Sequence, residues 1–417
     1  MTVNPTLMQR IRQDVQSMHA YAVQDAAGFI KLDAMENPYR LSPELQAKLG
    51  ERLGQVAINR YPGPRIDELK RALAQHAGLP EGCALMLGNG SDELISLLAM
   101  ACDVPGASIL APLPGFVMYA MSAQLQGLAF HGVPLTADFE LDEAAMLAAI
   151  AQHQPSIVYL AYPNNPTGNL WNDAVIEKII EAQGAQGGLV VMDEAYQPFA
   201  CRSYIDRLAR HSHVLLMRTL SKFGLAGVRL GYMIGPKALV AEIDKVRPPY
   251  NVSVLNAEAA LFALEHAAVY EAQAADLRAE RARLLESLAM LPGVKAWRSD
   301  ANMVLVRVPD ARAAFELIGV GRADERVVEA GADQAFDGGE LIAGRLARRA
   351  GAEGEVDRDR RADLFRDDFK AHAVGREQFG KSRCRRGAAG EAGLQPALLW
   401  RSQGLYRLSA LSRLTTR

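Results

Sequence analysis

The feature that most limits the fold of this chain is an alternation of short apolar runs with amphipathic stretches over residues 41–249. The apolar runs are bounded and rich in branched residues, which is typical of buried strands. The amphipathic stretches, such as 142–153 and 172–183, are long enough for crossover helices. This alternation predicts an α/β fold with a mostly parallel sheet and helices on both faces. The predicted strands are residues 107–111, 156–160, 188–192 and 213–217.

Beyond Asn251 the pattern changes to a charged amphipathic segment, residues 257–290, which ends at the stop signal 291–294. Residues 302–308 then predict a strand of a second, smaller domain. We expect four parts along the chain. They are an N-terminal arm with part of the small domain (1–45), a large domain (46–255), an incomplete small C-terminal domain (256–316) and an anomalous, poorly ordered tail (317–417).

Overall composition indicates an ordinary globular protein. Apolar residues make up 49% of the chain, and 46 Lys and Arg nearly balance 48 Asp and Glu. The net charge of -2 argues against a globally basic nucleic-acid binder, and no segment resembles a signal peptide or membrane anchor. Four scattered cysteines predict a reducing, cytoplasmic location and neither a disulfide framework nor a metal site. They are Cys83, Cys102, Cys201 and Cys384.

Four polar segments are chemically distinctive, three of them at the ends of predicted strands, and each has an ordinary alternative explanation. The Gly-rich turn 88–94 opens into an apolar helix and could bind an anion, although it could also be a simple helix start. The loop 162–169 is rich in Asn, Pro and Gly, as ordinary loops are. Asp193 ends an apolar strand and needs a partner there, unless it caps a helix or binds a metal. Lys222 lies among small and hydroxyl residues in 218–231, where it is either a solvated lysine or a nucleophile.

In this order, the four segments resemble those of the fold-type I, pyridoxal-phosphate-dependent aminotransferases of classes I and II. The resemblance covers residues 5–316. Within that group, the segments 31–39, 59–62 and 247–252 are most similar to histidinol-phosphate aminotransferases. The resemblance implies a mostly parallel seven-stranded sheet plus a smaller α/β domain, with pyridoxal 5'-phosphate as the cofactor.

The resemblance also assigns roles to four catalytic positions. Lys222 would bond to the cofactor aldehyde and then move the proton between substrate Cα and cofactor C4'. Asp193 would pair with the pyridine nitrogen and favour its protonated form. Asn165 and Tyr196 would bind the 3'-oxygen of the cofactor ring.

The cofactor phosphate requires several donors, and the resemblance places them in two segments. These are the helix start at Ser91 and Asp92, and the set Thr219, Ser221 and Arg229. The interval between Lys222 and Arg229 is one residue shorter than in many relatives.

Other matched positions complete the implied site. Phe116 would stack on the cofactor ring, and Tyr61 would reach the cofactor phosphate of a neighbouring subunit, which implies a homodimer with shared active sites. Tyr21 matches a tyrosine that contacts substrate phosphate, and Asn302 lies in the small-domain strand.

The resemblance implies a reaction between small molecules, in which L-histidinol phosphate and 2-oxoglutarate give imidazole acetol phosphate and glutamate in histidine biosynthesis. No nucleic acid or membrane is expected as a partner. Three alternatives remain open: an aromatic amino-acid aminotransferase, a related phospho-amino-acid decarboxylase, and a non-catalytic cofactor-binding regulator.

The last 101 residues depart from the family. Residues 1–316 contain 19 Arg and 8 Lys, whereas residues 317–417 contain 17 Arg and 2 Lys. The expected C-terminal motif, whose arginine binds the substrate carboxylate, is missing. The segment around Arg407 resembles this motif only weakly. The tail could be a basic extension, a disordered appendage or the out-of-frame translation of a GC-rich gene. We favour the frameshift, because the family match stops inside a helix.

Overall fold

The computed structural model describes residues 5–18, 30–31, 34–311, 327–328 and 340–344. Tyr21, Cys384, Arg407 and most of the predicted tail lie outside the described residues. The predicted division into an arm, two domains and a tail therefore stays a prediction.

A seven-stranded sheet forms the centre of the described structure, with the strand order β2-β8-β7-β6-β5-β3-β4. Strand β8 is antiparallel to both of its neighbours, and the remaining pairs are parallel. The mostly parallel α/β fold expected from the sequence is confirmed. The strands are β2 Cys83–Gly88, β3 Ser108–Leu113, β4 Ala129–Pro134, β5 Ile157–Ala161, β6 Leu189–Asp193, β7 Val214–Thr219 and β8 Gly231–Pro236.

Helices cover both faces of this sheet. Side chains on successive strand residues point to opposite sides, so each buried strand contributes to a core on either face. On β6, Val190 and Met192 belong to one core cluster and Val191 to the other. The first cluster also takes in the helices at 65–77, 143–153, 173–185 and 254–265, and the second takes in those at 91–101, 118–126 and 237–243. The helices are α3 Pro43–Gly54, α4 Arg65–Ala77, α5 Ser91–Ala101, α6 Met118–Gln126, α7 Glu143–His153, α8 Asp173–Ala185, α9 Ile205–Leu208, α10 Lys237–Ile243 and α11 Val254–Glu265, preceded by the short α1 Pro5–Met8 and α2 Gln13–Ser17.

A third core cluster lies around the 23-residue helix α12, Ala267–Ala289, and strand β10, Met303–Arg307. Strand β10 pairs antiparallel with β9, Lys295–Ala296, and with β12, Glu340–Gly344. Two further short strands, β1 Ile30–Lys31 and β11 Val327–Val328, pair in parallel. This third cluster includes Met35, Tyr196 and Phe199, so it adjoins the carboxyl edge of the central sheet.

The predicted elements agree with the structure to within a few residues. The two amphipathic stretches form α7 and α8, each capped at its first predicted residue: Asp142 accepts from Ala145 N at 3.0 Å and Asn172 from Ala174 N at 2.8 Å. The single segment 257–290 is wrong as one element, because His266 separates α11 from α12. Strands β2, β4 and β8 were not predicted. The runs of β2 and β4, CALMLG and AFHGVP, contain few branched residues.

Candidate active site

The carboxyl ends of the parallel strands β5, β6 and β7 meet at one edge of the sheet, where open α/β folds bind ligands. Three of the four chemically distinctive segments begin there: the loop after Ala161, Asp193 itself and the turn after Thr219. The fourth, the turn after Gly88, lies at the same edge because β2 runs in the same direction as β7, and it opens helix α5.

Asp193 is the last residue of β6 and is 4% exposed. Its Oδ2 accepts a hydrogen bond from the Tyr119 hydroxyl at 2.6 Å, and its Oδ1 accepts one from Ala195 N at 3.0 Å. Burial raises the pKa of the Asp193 carboxyl to about 6, although these two donors oppose the rise. A cationic group next to Asp193 would favour the ionised form of the carboxyl. The ionised carboxylate would in turn stabilise a protonated pyridine nitrogen.

Lys222 lies in the π-helical turn Ser221–Leu225, which adjoins the end of β7. Gly224 in this turn has a φ of 142°, and a Cβ there would come within 2.7 Å of the Tyr270 ring. The Nζ of Lys222 donates to Ala34 O at 2.6 Å and lies 5.6 Å from the centroid of the Tyr196 ring. The Tyr196 hydroxyl accepts from Asn165 Nδ2 at 3.2 Å. The structure thus brings together two of the predicted ring-binding residues with the predicted nucleophile.

The predicted phosphate-binding residues also converge. The hydroxyl oxygens of Thr219 and Ser221 are 3.0 Å apart, and Arg229 Nη1 donates to Ser221 Oγ at 3.5 Å. The other arm of the Arg229 guanidinium donates to Asp92 Oδ2 at 3.2 Å, at the first turn of α5, which begins at Ser91.

Two glycines make room for this cluster. A Cβ on Gly90 would lie 2.7 Å from Arg229 Nη2, and a Cβ on Gly231 would lie 2.8 Å from Ser91 N. The first N–H groups of α5, two hydroxyls and a guanidinium therefore form an anion cradle that larger side chains would fill.

The remaining predicted residues lie in different surroundings. Phe116 is half-buried, in edge contact with Tyr119 at 5.6 Å. Asn302 is buried and donates to Met35 O at 3.1 Å. Tyr61, by contrast, is 77% exposed and stacks on Tyr250 with a centroid distance of 4.5 Å. Within the described part of the chain, no hydrogen bond is found between the Tyr61 side chain and the other predicted site residues.

Sequence reasoning missed two parts of the site. One is Tyr119, whose hydroxyl donates to Asp193; it lies in the first turn of α6, three residues after Phe116, which precedes the helix. The other is the buried pair of Glu194 and Arg218, in which Nε and Nη2 of the guanidinium lie 3.0 and 2.9 Å from one carboxylate oxygen. A second carboxylate beside Asp193 at a strand end demanded a cation, and Arg218 near the end of the next strand supplies it.

These residues fit one cofactor. They offer an anion cradle, an aromatic face, a buried carboxylate for a ring cation and a lysine amine for an aldehyde, which are the groups that pyridoxal 5'-phosphate presents. A mostly parallel sheet with this set at its carboxyl edge defines a pyridoxal-phosphate-dependent enzyme of fold type I.

Comparison with known proteins leads to the same class. The model of the aminotransferase class I and II family matches residues 27–330. The chain is 74% identical over 315 residues to a histidinol-phosphate aminotransferase of Polaromonas naphthalenivorans, covering 76% of this chain and 86% of that protein. It is 75% identical over 312 residues to one of Methylibium petroleiphilum, covering 75% and 84%.

A solved structure resembles the fold. The histidinol-phosphate aminotransferase of Sinorhizobium meliloti in complex with pyridoxal-5'-phosphate has a TM-score of 0.66 and 25% identity, with coverage of 78% of this chain and 90% of that one. The chain belongs to the aminotransferase class I and II family, and it is a transferase whose cofactor is pyridoxal 5'-phosphate.

Asp193 makes the stability of the cofactor-free protein depend on pH in a defined direction. Its folded pKa lies above its unfolded value, so its contribution is fully present below pH 4 and is lost as the pH rises through about 6. We expect Asp193→Asn to be more stable than wild type by ~3 kcal/mol at pH 7, and equal to it near pH 4. Urea unfolding of both cofactor-free proteins between pH 4 and 8 measures this difference.

The exposed carboxylate Glu242 provides a control, since its pair with Lys245 lies on the surface with both side chains more than half exposed. Glu242→Gln should change stability by less than about 1 kcal/mol across this range. If Asp193→Asn is less stable than wild type at pH 7, burial of the ionised carboxyl is not the main contribution of Asp193 to the free energy of unfolding.

Proposed function

We propose that this chain transfers an amino group between L-histidinol phosphate and 2-oxoglutarate in L-histidine biosynthesis. The observation that carries the proposal is the 74% identity over 315 residues to a protein named for this reaction. The family match, residues 27–330, contains every proposed cofactor-site residue.

The proposed mechanism assigns a task to each residue near the carboxyl edge of the sheet. Pyridoxal 5'-phosphate, when bound, supplies an aldehyde that bonds to amino groups and a ring that accepts electrons from the adjacent carbon. Lys222 would hold the cofactor through this aldehyde, and its amine would carry the proton between substrate Cα and cofactor C4'. Asp193 would pair with the ring nitrogen and favour its protonated form, which would make the ring electron-poor.

The other residues bind and orient. Asn165 and Tyr196, already joined at 3.2 Å, bind the 3'-oxygen of the ring. Phe116 covers one ring face. The phosphate would be held by the cradle of Ser91, Asp92, Thr219, Ser221 and Arg229, in which Asp92 would contribute its backbone N–H.

A donor comparison tests the proposal. Glutamate formation from 2-oxoglutarate is measured with L-histidinol phosphate and, separately, with phenylalanine as the amino donor. We expect the first donor to be preferred at least tenfold in kcat/KM, which is about 1.4 kcal/mol of transition-state discrimination. Preference for phenylalanine would favour an aromatic aminotransferase instead, and carbon dioxide release from a phosphorylated amino acid would favour the decarboxylase. A chain that binds the cofactor but acts on none of these compounds would fit the regulator.

We also propose that the enzyme is a homodimer with shared active sites. An exposed patch supports this, because Ile58, Tyr61 and Tyr250 are 73%, 77% and 57% exposed. Large apolar side chains that are exposed to this extent are typical of an interface. In the proposed dimer, Tyr61 crosses to the cofactor phosphate of the partner.

Mixed dimers test the sharing of sites. In a heterodimer of Lys222→Ala with Tyr61→Ala, one site carries both defects and the other carries neither, provided that Tyr61 acts across the interface. Mixing two poorly active variants after dissociation and reassociation should therefore restore roughly a quarter of wild-type activity, since half of the dimers are mixed and each has one intact site. No gain over the average of the two parents would mean that Tyr61 serves its own subunit or none.

For the tail, we propose out-of-frame translation after about codon 316. The curated relatives cover about three quarters of this chain, although this chain covers 84–86% of theirs, so unmatched residues remain on both sides. Translating the other two frames of the gene from about codon 310 tests the idea. One frame should encode a strand containing the missing arginine, and if neither does, the hypothesis is wrong.

The tail leads to an activity prediction. Since the missing arginine binds the substrate carboxylate, the half-reaction with 2-oxoglutarate should be impaired more than the half-reaction with L-histidinol phosphate, which has no carboxylate. Single-turnover absorbance changes of the cofactor, followed with each substrate separately, measure the two rates. Restoring the alternative frame should accelerate the 2-oxoglutarate step at least tenfold. If restoring the frame accelerates both half-reactions equally, the tail impairs folding in general rather than carboxylate binding.

We place the enzyme in the cytoplasm, without nucleic-acid or membrane partners. The scattered cysteines support a reducing compartment, and those at Cys83, Cys102 and Cys201 are free. Within the described ranges, no helix is both long and apolar enough to cross a membrane. No group of three or more His, Cys, Asp or Glu side chains in those ranges is arranged to hold a metal ion.

A further inference from the structure

Tyr119 lies beneath the cofactor site, on the first turn of α6, and is only 2% exposed. Its ring contacts two other aromatic rings. Phe116 meets it edge-on with centroids 5.6 Å apart, and Tyr159 stacks on it at 4.3 Å with an interplanar angle of 8°. A side chain clamped in this way has one rotamer available, so its hydroxyl has a fixed position.

That hydroxyl is directed at Asp193. It donates to Oδ2 over 2.6 Å, which is a short distance typical of a hydrogen bond to an ionised acceptor. Tyr119 stays protonated in this contact, because burial and the neighbouring Asp193 carboxylate raise the pKa of the phenol well above its ordinary value. The other carboxylate oxygen, Oδ1, accepts a hydrogen bond from Ala195 N.

We propose that Tyr119 is a positioning residue for the cofactor: its hydroxyl holds the Asp193 carboxylate ionised and in place, and its ring supports Phe116 on the cofactor face. The inference deepens the proposed function and rests on the role of Asp193 given there. One buried side chain thereby links the two groups that would act on the cofactor ring, the carboxylate at its nitrogen and the aromatic at its face.

The hydroxyl matters because the other charged groups around Asp193 oppose its ionisation. Asp92 on α5 and the adjacent Glu194 both raise its pKa, as burial does to a greater extent. The phenols of Tyr159 on β5 and of Tyr196 lie in the same surroundings, and burial raises the pKa of Tyr159 well above its ordinary value. Loss of the Tyr119 donor should therefore raise the pKa of Asp193 further, so that the carboxylate is protonated at higher pH.

Tyr119→Phe tests this while keeping the ring and its packing. We expect the dissociation constant of pyridoxal 5'-phosphate to rise about tenfold or more at pH 7, the size expected for a hydrogen bond to a charged group. The fall in affinity towards acidic pH should begin about one pH unit higher than in wild type. Ultrafiltration or fluorescence titration of the purified enzyme between pH 5 and 9 measures both effects.

Tyr159→Phe is a matched control, since it removes a buried hydroxyl from the stacked neighbouring ring. That hydroxyl has no hydrogen-bond partner among the described residues. Cofactor affinity should change less than about twofold in this variant, because no contact to Asp193 is lost. Equal losses in the two variants would assign the effect to packing and overturn the inference.

A double-mutant cycle with Asp193→Asn separates the inference from the proposed function. If Tyr119 acts through the carboxylate, Tyr119→Phe should have little effect on cofactor affinity in the Asp193→Asn background. The same loss in both backgrounds overturns the positioning role and leaves the role of Asp193 intact. If Asp193→Asn itself leaves cofactor affinity unchanged, then the proposed role of Asp193 and the inference both fail. Thermal unfolding of each cofactor-free variant confirms that the compared proteins are folded.

Discussion

Replacing Lys222 by alanine is expected to lower amino transfer by at least about 10³-fold, because in the proposed mechanism this one side chain is both nucleophile and proton carrier. The anion cradle and Asp193 remain in the variant, so the cofactor should still bind, without a covalent bond to the protein. The visible absorbance of the lysine-bound cofactor should disappear, and denaturation should release the cofactor unmodified. Absorbance spectra and glutamate formation from 2-oxoglutarate measure the two effects.

Lys178→Ala provides the control for removal of a lysine. Its side chain is 55% exposed and pairs with Glu143 at the surface, so its loss should change neither the spectrum nor turnover beyond twofold. Turnover of Lys222→Ala within tenfold of wild type would contradict the assignment of Lys222. If the variant loses both the covalent bond to the cofactor and the ability to bind it, Lys222 is needed to form the site.

The overall architecture could be predicted because buried parallel strands leave a strong local pattern. The four predicted strands correspond to β3, β5, β6 and β7, each within one or two residues at either end. Strand β8 could not be found in this way. It begins at Gly231 and ends at Pro236, and it runs antiparallel to both of its neighbours. Its place in the sheet therefore depends on pairing with β2 and β7 rather than on its own sequence pattern.

The division at His266 illustrates a different limit. Residues 257–290 read as one amphipathic segment, yet α11 packs on the core of the central sheet and α12 on the core around β10. Two helices serving two cores require a change of direction that local helical periodicity does not record. The chain turns at His266, whose Nδ1 lies 2.8 Å from Phe262 O.

For the site, the resemblance predicted which residues would face the cofactor, and the structure brings most of these residues together at the carboxyl edge of the sheet. The supporting residues could not be derived, because their contacts depend on the tertiary fold. Tyr119 and Asp193 are 74 positions apart, and Glu194 and Arg218 are 24 apart. For Asp193, the need of a buried carboxylate for a partner was evident from the strand pattern, whereas the partner itself was not.

The Glu194–Arg218 pair leads to the largest expected effect on stability. The two side chains are 0% and 8% exposed, and Ser203 Oγ lies 3.0 Å from both oxygens of the carboxylate. Burial raises the pKa of Glu194, and the Arg218 guanidinium opposes this rise. Glu194→Ala would leave Arg218 buried without its counter-charge, which should lower the free energy of unfolding by ~3–5 kcal/mol. Urea unfolding with saturating cofactor measures the loss.

The same physics predicts that removing both charges is less harmful than removing one. Glu194→Leu combined with Arg218→Met should recover at least about 1 kcal/mol relative to Glu194→Ala, since no uncompensated charge stays buried. Glu143→Ala, which breaks the exposed pair with Lys178, should cost less than about 1 kcal/mol. A loss of this small size in Glu194→Ala would show that water reaches Arg218. A double variant no more stable than the single one would show that Glu194 acts mainly through Ser203 and the Tyr204 backbone N–H, which also donate to it.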